Sequence, residues 1–213
     1  DLIVKQTNPT LAIYARRGEI IIRITAKAVD ATAATVMLDE GEAALRERLE
    51  KYIYGVDDET LASYLGKKLL KQHKTISFAE SCTGGLASNL VTDIAGSSEY
   101  LIGSIVTYTN EAKHNLLKVK EETLNAYGAV SEETSLEMAQ GVRKLFGSDF
   151  GVGITGNAGP GGSEGKPVGL VYIAIATPDE VYCKEFNFTS TRIENKLRIA
   201  LTAISMVIDK LSE

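Results

Sequence analysis

The sequence has no tryptophan, four prolines, two cysteines and two histidines in 213 residues, and each shortage closes off a class. Cys82 and Cys183 stand too far apart to match a disulfide-rich secreted scaffold or a zinc-ligand spacing. His73 and His114 are too few for most metal sites, so no metal and no cofactor are expected. No apolar run approaches the ~20 residues of a membrane-spanning helix, and no basic leader precedes an apolar core segment. These absences point to a cytoplasmic protein with reduced thiols. Positive charge is also in short supply: 23 Lys and Arg against 28 Asp and Glu give a formal net charge of −5, without the electrostatic footprint of a dedicated nucleic-acid binder. What is present, 44% hydrophobic and 24% charged residues with 19 glycines, suits an ordinary globular protein with a sizeable core. The first residue is Asp1, and the sequence is expected to be part of a longer product.

Residues 1–56 and 57–213 read as two domains. The first holds two alternating stretches, Leu11–Tyr14 and Glu19–Thr25, joined by Ala15-Arg-Arg-Gly18 as a hairpin connection, and then a helical stretch from Thr32 to Tyr52. Its eight basic and eight acidic residues cancel. Tyr54-Gly-Val-Asp-Asp-Glu59 marks a boundary, with a helix expected from Glu59 to Lys71. From there strands and helices alternate: a strand at Thr75–Ala79 before a helix at Gly84–Ile94, and a strand at Ile102–Thr109 before a helical stretch to Leu117. Ser131 is placed to cap a helix ending at Phe146, and Phe150–Thr155 is a further strand. Gly169–Ala176 and Glu180–Phe188 read as a hairpin, and a last helix starts near Thr191. That order predicts an α/β fold, a mixed sheet covered by helices on both faces, with an antiparallel part from the hairpin. Active sites in such sheets gather at strand carboxyl ends.

Three strand ends carry chemistry. Ala79-Glu-Ser-Cys-Thr-Gly-Gly85 puts a hydroxyl and a thiol where a strand turns into a helix, beside glycines that admit a ligand to the backbone. Amides at that helix start attract a phosphate or a developing oxyanion. The plainer alternative is that Ser81 or Thr83 caps the helix and Cys82 fills space, and either Ser81 or Cys82 could be the nucleophile. Thr107-Tyr-Thr-Asn-Glu-Ala-Lys113 offers Lys113, which activates a hydroxyl only when neutral and therefore desolvated or near positive charge, with Tyr108 as a proton relay. Their alternative is a core tyrosine and a solvated lysine. Nine of the 19 glycines fall between Gly147 and Gly169, a supply of backbone N–H groups of the kind that cradles anions. Arg192 and Lys196, four residues apart at the start of the last helix, oppose its dipole and invite an anion such as a substrate phosphate.

Ala79–Gly85, Thr92-Asp-Ile-Ala-Gly-Ser-Ser98, Val106–Lys113, Gly128-Ala-Val-Ser131, Thr155-Gly-Asn-Ala-Gly-Pro160 and Lys166-Pro-Val-Gly169 occur in the order found in the CinA C-terminal family. Over residues 60–211 the chain resembles that family, and residues 1–56, with Asn8-Pro-Thr-Leu11 and Ile24-Thr-Ala-Lys27, resemble its KH-like middle domain. The resemblance implies a three-layer αβα sandwich with a mixed sheet, preceded by a small α+β KH-like domain. It implies hydrolysis of nicotinamide mononucleotide to nicotinate mononucleotide and ammonia, independent of metal, and a homodimer. An amino-terminal molybdopterin-binding-like domain is expected in the longer chain. It also implies Ser81 as nucleophile, Tyr108 and Lys113 as its polar partners, and Arg192 on the phosphate. The substrate is expected to meet Thr83, Gly84 and Gly85 beside the nucleophile, Asn110, and Thr155, Gly156 and Asn157 of the glycine-rich loop. Asn157 departs from the apolar residue usual there. Two other readings are a catalytically silent nucleotide-binding or assembly domain, and a nucleic-acid module. The second is disfavoured because residues 1–56 hold no G-x-x-G loop.

Overall fold

Thr10–Arg16 (β1) and Glu19–Thr25 (β2), rich in β-branched and aromatic residues, pair antiparallel with Thr10 opposite Thr25 and Arg16 opposite Glu19. The computed structural model describes residues 2–4, 6–16 and 18–212; Arg17 of the expected hairpin connection lies outside them. Ala31–Leu49 (α1) follows, capped by Asp30, whose side chain accepts the Ala33 amide at 2.8 Å. Its last turn gives way to a 3-10 turn at Glu50–Tyr52, so the α-helix is shorter than the expected stretch. Asn8 ties the hairpin's flanks together, exchanging hydrogen bonds with both the carbonyl and the amide of Lys27. These elements form one unit, Asp1–Glu59, and Thr60–Glu213 form the other.

The second unit starts with Leu61–Gln72 (α2), where Thr60 and Ser63 cap each other's amides reciprocally. The helix thus opens two residues later than the acidic run suggests. Ile76–Glu80 (β3) is buried throughout, as a strand covered on both faces must be. It leads through a tight turn to Leu86–Thr92 (α3). Then come Leu101–Val106 (β4), Asn110–Leu117 (α4), Glu121–Tyr127 (α5), Glu132–Phe146 (α6), Phe150–Gly156 (β5), Leu170–Ala176 (β6), Val181–Asn187 (β7) and Arg192–Lys210 (α7). The sheet runs β4-β3-β5-β6-β7, with β3 parallel to β4 and β5 and the last three strands antiparallel in sequence. Strand β4 ends at Val106, three residues short of the expected end, and its last ladder bond runs from the Thr107 amide to the Glu80 carbonyl.

Helices α2, α3 and α7 cover one face, where Leu65, Leu69, Phe78, Ile173, Ile199 and Ile204 pack into the main core. Helices α4, α5 and α6 cover the other, around Ala79, Leu117, Leu124, Met138 and Val142. This is the three-layer αβα arrangement. Helix α6 lies unusually close to β5: a Cβ at Gly151 or Gly153 would run into the backbone carbonyls of Ala139 or Ser135, so the helix settles where the strand has no side chain. Helix α5 had no counterpart in the sequence pattern. It is seven residues long, too short for a periodic stripe to show, and the α6 residue Glu137 holds its start by accepting from the Lys120 amide and the Thr123 hydroxyl.

Candidate active site

Three carboxyl ends meet at one side of the sheet. Ser81 leaves β3 with its amide bonded to the Ile154 carbonyl at 3.0 Å, which extends the pairing with β5 and fixes the serine backbone. Lys113 enters from the first turns of α4, whose start is set by Thr109 accepting the Ala112 amide. Its Nζ lies 3.1 Å from Ser81 Oγ and donates to the Thr107 carbonyl at 2.9 Å. At 1% exposure the ammonium has lost its water. Burial pushes the Lys113 pKa down to about 8, against a smaller opposing pull from the Glu164 carboxylate. A base of that strength touching a hydroxyl can take its proton near neutral pH. The neighbouring Cys82 thiol is pushed up to about 12, mainly by burial, with Glu80 adding to the effect. It stays protonated and is a poor nucleophile.

The turn is held from below by a residue that sequence reasoning left without a role. Glu80, fully buried, accepts hydrogen bonds from the amides of Gly85, Ala87 and Ser88 and from the Ser88 hydroxyl, at 2.8–3.1 Å. The signal was an acidic residue six positions ahead of a helix start, a spacing that matches no ordinary cap. Its consequence is that the expected anion site at the α3 start is already filled by the chain's own carboxylate. The Gly84 amide is likewise bonded to the Ser81 carbonyl.

A pocket of about 250 Å³ opens over Ser81. Of the expected residues it brings together Ser81, Tyr108, Lys113, Thr155, Gly156, Asn157 and Arg192. Thr83, Gly84, Gly85 and Asn110 do not line it: Thr83 is fully buried beneath the turn and Asn110 is exposed at the start of α4. Tyr108, 60% exposed, has its hydroxyl on the Arg192 guanidinium at 3.1 Å rather than between Ser81 and Lys113. The serine–lysine contact is direct, so no relay stands between them. Arg192 also donates to the Gly159 carbonyl and so ties the α7 start to the glycine-rich loop. Asn157 lines the pocket but uses its side chain within the loop, donating to the Lys166 and Pro167 carbonyls and accepting from the Ser163 hydroxyl. Thr155 gives its hydroxyl to the Ala129 carbonyl at 2.6 Å. Asn195, which sequence reasoning passed over, is fully buried and bridges the Ala158 and Ser190 carbonyls and the Ser190 amide. No cluster of three or more metal-ligating side chains occurs among the described residues, and none of their helices is long and apolar enough to cross a membrane.

Residues 58–211 match the family described as CinA C-terminal domain, and residues 1–55 match the Damage-inducible protein CinA KH domain. A CinA-like protein of Kosmotoga olearia is 44% identical over 208 residues, covering 97% of this chain and 50% of that one. A CinA-like protein of Prochlorococcus marinus is 44% identical over 208 residues, covering 94% and 49%. The chain thus spans about half the length of the curated relatives it matches. Among solved structures, competence/damage inducible protein CihA from Agrobacterium tumefaciens aligns with a TM-score of 0.67 at 38% identity, over 75% of this chain and all of that one. The competence damage-inducible protein A (ComA) of Klebsiella pneumoniae aligns with a TM-score of 0.70 at 30% identity, over 72% and 96%. With the strand-end serine, the lysine beneath it and the glycine-rich loop in place, and both domains matched in order, the chain belongs to the CinA family.

Proposed function

We propose that the second unit is an amidohydrolase that converts nicotinamide mononucleotide to nicotinate mononucleotide and ammonia. The observation that carries this reading is the buried Lys113 amine 3.1 Å from Ser81 Oγ, at the floor of a pocket with Arg192 on its wall. Neutral Lys113 takes the Ser81 proton as Oγ attacks the carboxamide carbon, forming a C–O bond and placing negative charge on the carbonyl oxygen. The resulting lysine ammonium returns the proton to the departing nitrogen, the C–N bond breaks, and ammonia leaves an ester on Ser81. Water then attacks that ester with its proton passing to Lys113, which hands it back to Oγ as the acid is released.

With the α3 amides held by Glu80, the oxyanion donors come from the backbone of the loop wall at Ala158, Gly159 and Gly161, a class of interaction worth about 10²–10³ in rate. Arg192 supplies the positive charge for the nucleotide phosphate. The test is ammonia release from nicotinamide mononucleotide. Ser81→Ala is expected to abolish it with the fold intact, and Cys82→Ala to retain it. Full turnover in the serine variant would remove the assignment. Tight binding of the nucleotide by the unmodified protein without turnover would favour a silent nucleotide-binding domain.

A further inference from the structure

The tip of the glycine-rich loop is a tight turn in which Lys166 N–H returns to the Ser163 carbonyl at 2.9 Å, with a bridge between those two residues. Its central residues, Glu164 and Gly165, have φ of 56° and 71°. Glycine or asparagine adopts such a conformation at little expense, whereas a glutamate there is held against its preference. A strained residue persists when its side chain is doing something the surroundings require. The Glu164 carboxylate accepts from the Ala129 amide at 2.9 Å and the Val130 amide at 3.3 Å. Lys166, 3.6 Å from that carboxylate, reaches the carbonyls of Tyr127 and Val130. Gly128 makes room for the strap, since a Cβ there would collide with Glu164 Oε2. Ala129 and Val130 on one side, and Ser163 and Gly161 on the other, all line the pocket over Ser81.

We propose that Glu164 is a positioning residue for the reacting centre, strapping the loop tip to residues 129–130 so that both segments are held as walls of the pocket over Ser81 and Lys113. This rests on the reading of Lys113 as the base. Of the groups around Lys113, the Cys82 thiol of the β3–α3 turn stays neutral, and the Glu164 carboxylate of the loop favours the ammonium form. The other acidic groups nearby are engaged elsewhere: Glu80 with the α3 amides, and Glu137 of α6 with Lys120 and Thr123. On α4, His114 turns its Nδ1 to the Val119 carbonyl. Without Glu164 the lysine gives up its proton more readily, while the loop wall loses its anchor.

The test needs no substrate, so a wild-type protein that releases no ammonia would remove the amidase reading and leave this one open to measurement. The Lys113 ¹³Cε resonance is followed through a pH titration in the full chain, wild type against Glu164→Gln. The midpoint is expected to fall by about 0.5 pH unit in the variant. Amide exchange at Ala129 and Val130 is measured in Glu164→Gly, which keeps the turn because glycine takes positive φ freely, and is expected to quicken by about tenfold or more. Both changes are required. A midpoint at the wild-type value, or unaltered exchange at those two amides, overturns the proposal.

Discussion

A lysine kept from water beside a hydroxyl suits the proposed reaction and destabilises the fold through the same loss of solvation. The folded-state pKa of Lys113 lies near 8 where the ordinary value is 10.5, so between those pH values the unfolded chain binds more protons than the folded one. Stability therefore rises with pH across that window, and below about 8 the buried ammonium carries its full penalty. At 1.36 kcal/mol for each pH unit, the span amounts to about 3 kcal/mol. Urea denaturation of the wild type and Lys113→Met at pH 7 and pH 10 is expected to show the difference between them moving toward the wild type by about 2.5 kcal/mol, the part of that span reached by pH 10. In the same protein kcat/KM for ammonia release is expected to climb with pH through a midpoint near 8, as the neutral amine forms. The serine was legible as a candidate because it stands at a strand end, and the lysine because it opens the helix that follows one. The choice between Ser81 and Cys82 was not, since it depends on which side chain reaches Nζ.

At the scale of elements, the geometry depends on two close approaches. Glu80 satisfies three amides and a hydroxyl at the start of α3, and removing it strands buried donors. Glu80→Ala is expected to lose about 3 kcal/mol or more in denaturant unfolding. Helix α6 rests on β5 where Gly153 has no side chain, and the segment just before α6 supplies Ala129 and Val130 to the pocket. Gly153→Ala is expected to shift the urea midpoint down by the equivalent of about 2 kcal/mol or more, from overpacking against a backbone carbonyl. The helices and strands themselves were readable because their apolar residues recur at fixed periods and Ser131 and Thr191 mark two helix starts, whereas the caps Thr60 and Thr109 emerged only from the structure. Helix α5 and the role of Glu80 were not, because both depend on groups far away in sequence or out of phase with any local pattern.

At the scale of the whole molecule, the two units differ in how much core they own. Within residues 1–59 only Leu45 is a fully buried hydrophobic side chain among the described residues, while Ile13, Ile20, Val29 and Val36 are exposed. The second unit buries both faces of its central strands. Opening free energy follows buried apolar contact, so hydrogen exchange is expected to be faster in β1, β2 and α1 than in β3, β5 and β6. Equal protection in the two sets would mean that the hairpin unit draws stability from contacts beyond its own side chains.

What the sequence determined by itself is local: the alternation of strands and helices, their caps, and the presence of a serine, a lysine, an arginine and a glycine-rich segment at turns. Periodicity and capping act over a few residues, and that is the range over which a linear string carries information. Which of those groups meet was decided by the tertiary structure. The β3–β4 and β3–β5 pairings bring Ser81, Lys113 and the loop together across separations of more than thirty residues. The same packing removed water from Lys113, gave the helix start to Glu80 and turned Tyr108 toward Arg192. Desolvation and contact belong to the assembled interior, and no single segment of the chain possesses them alone.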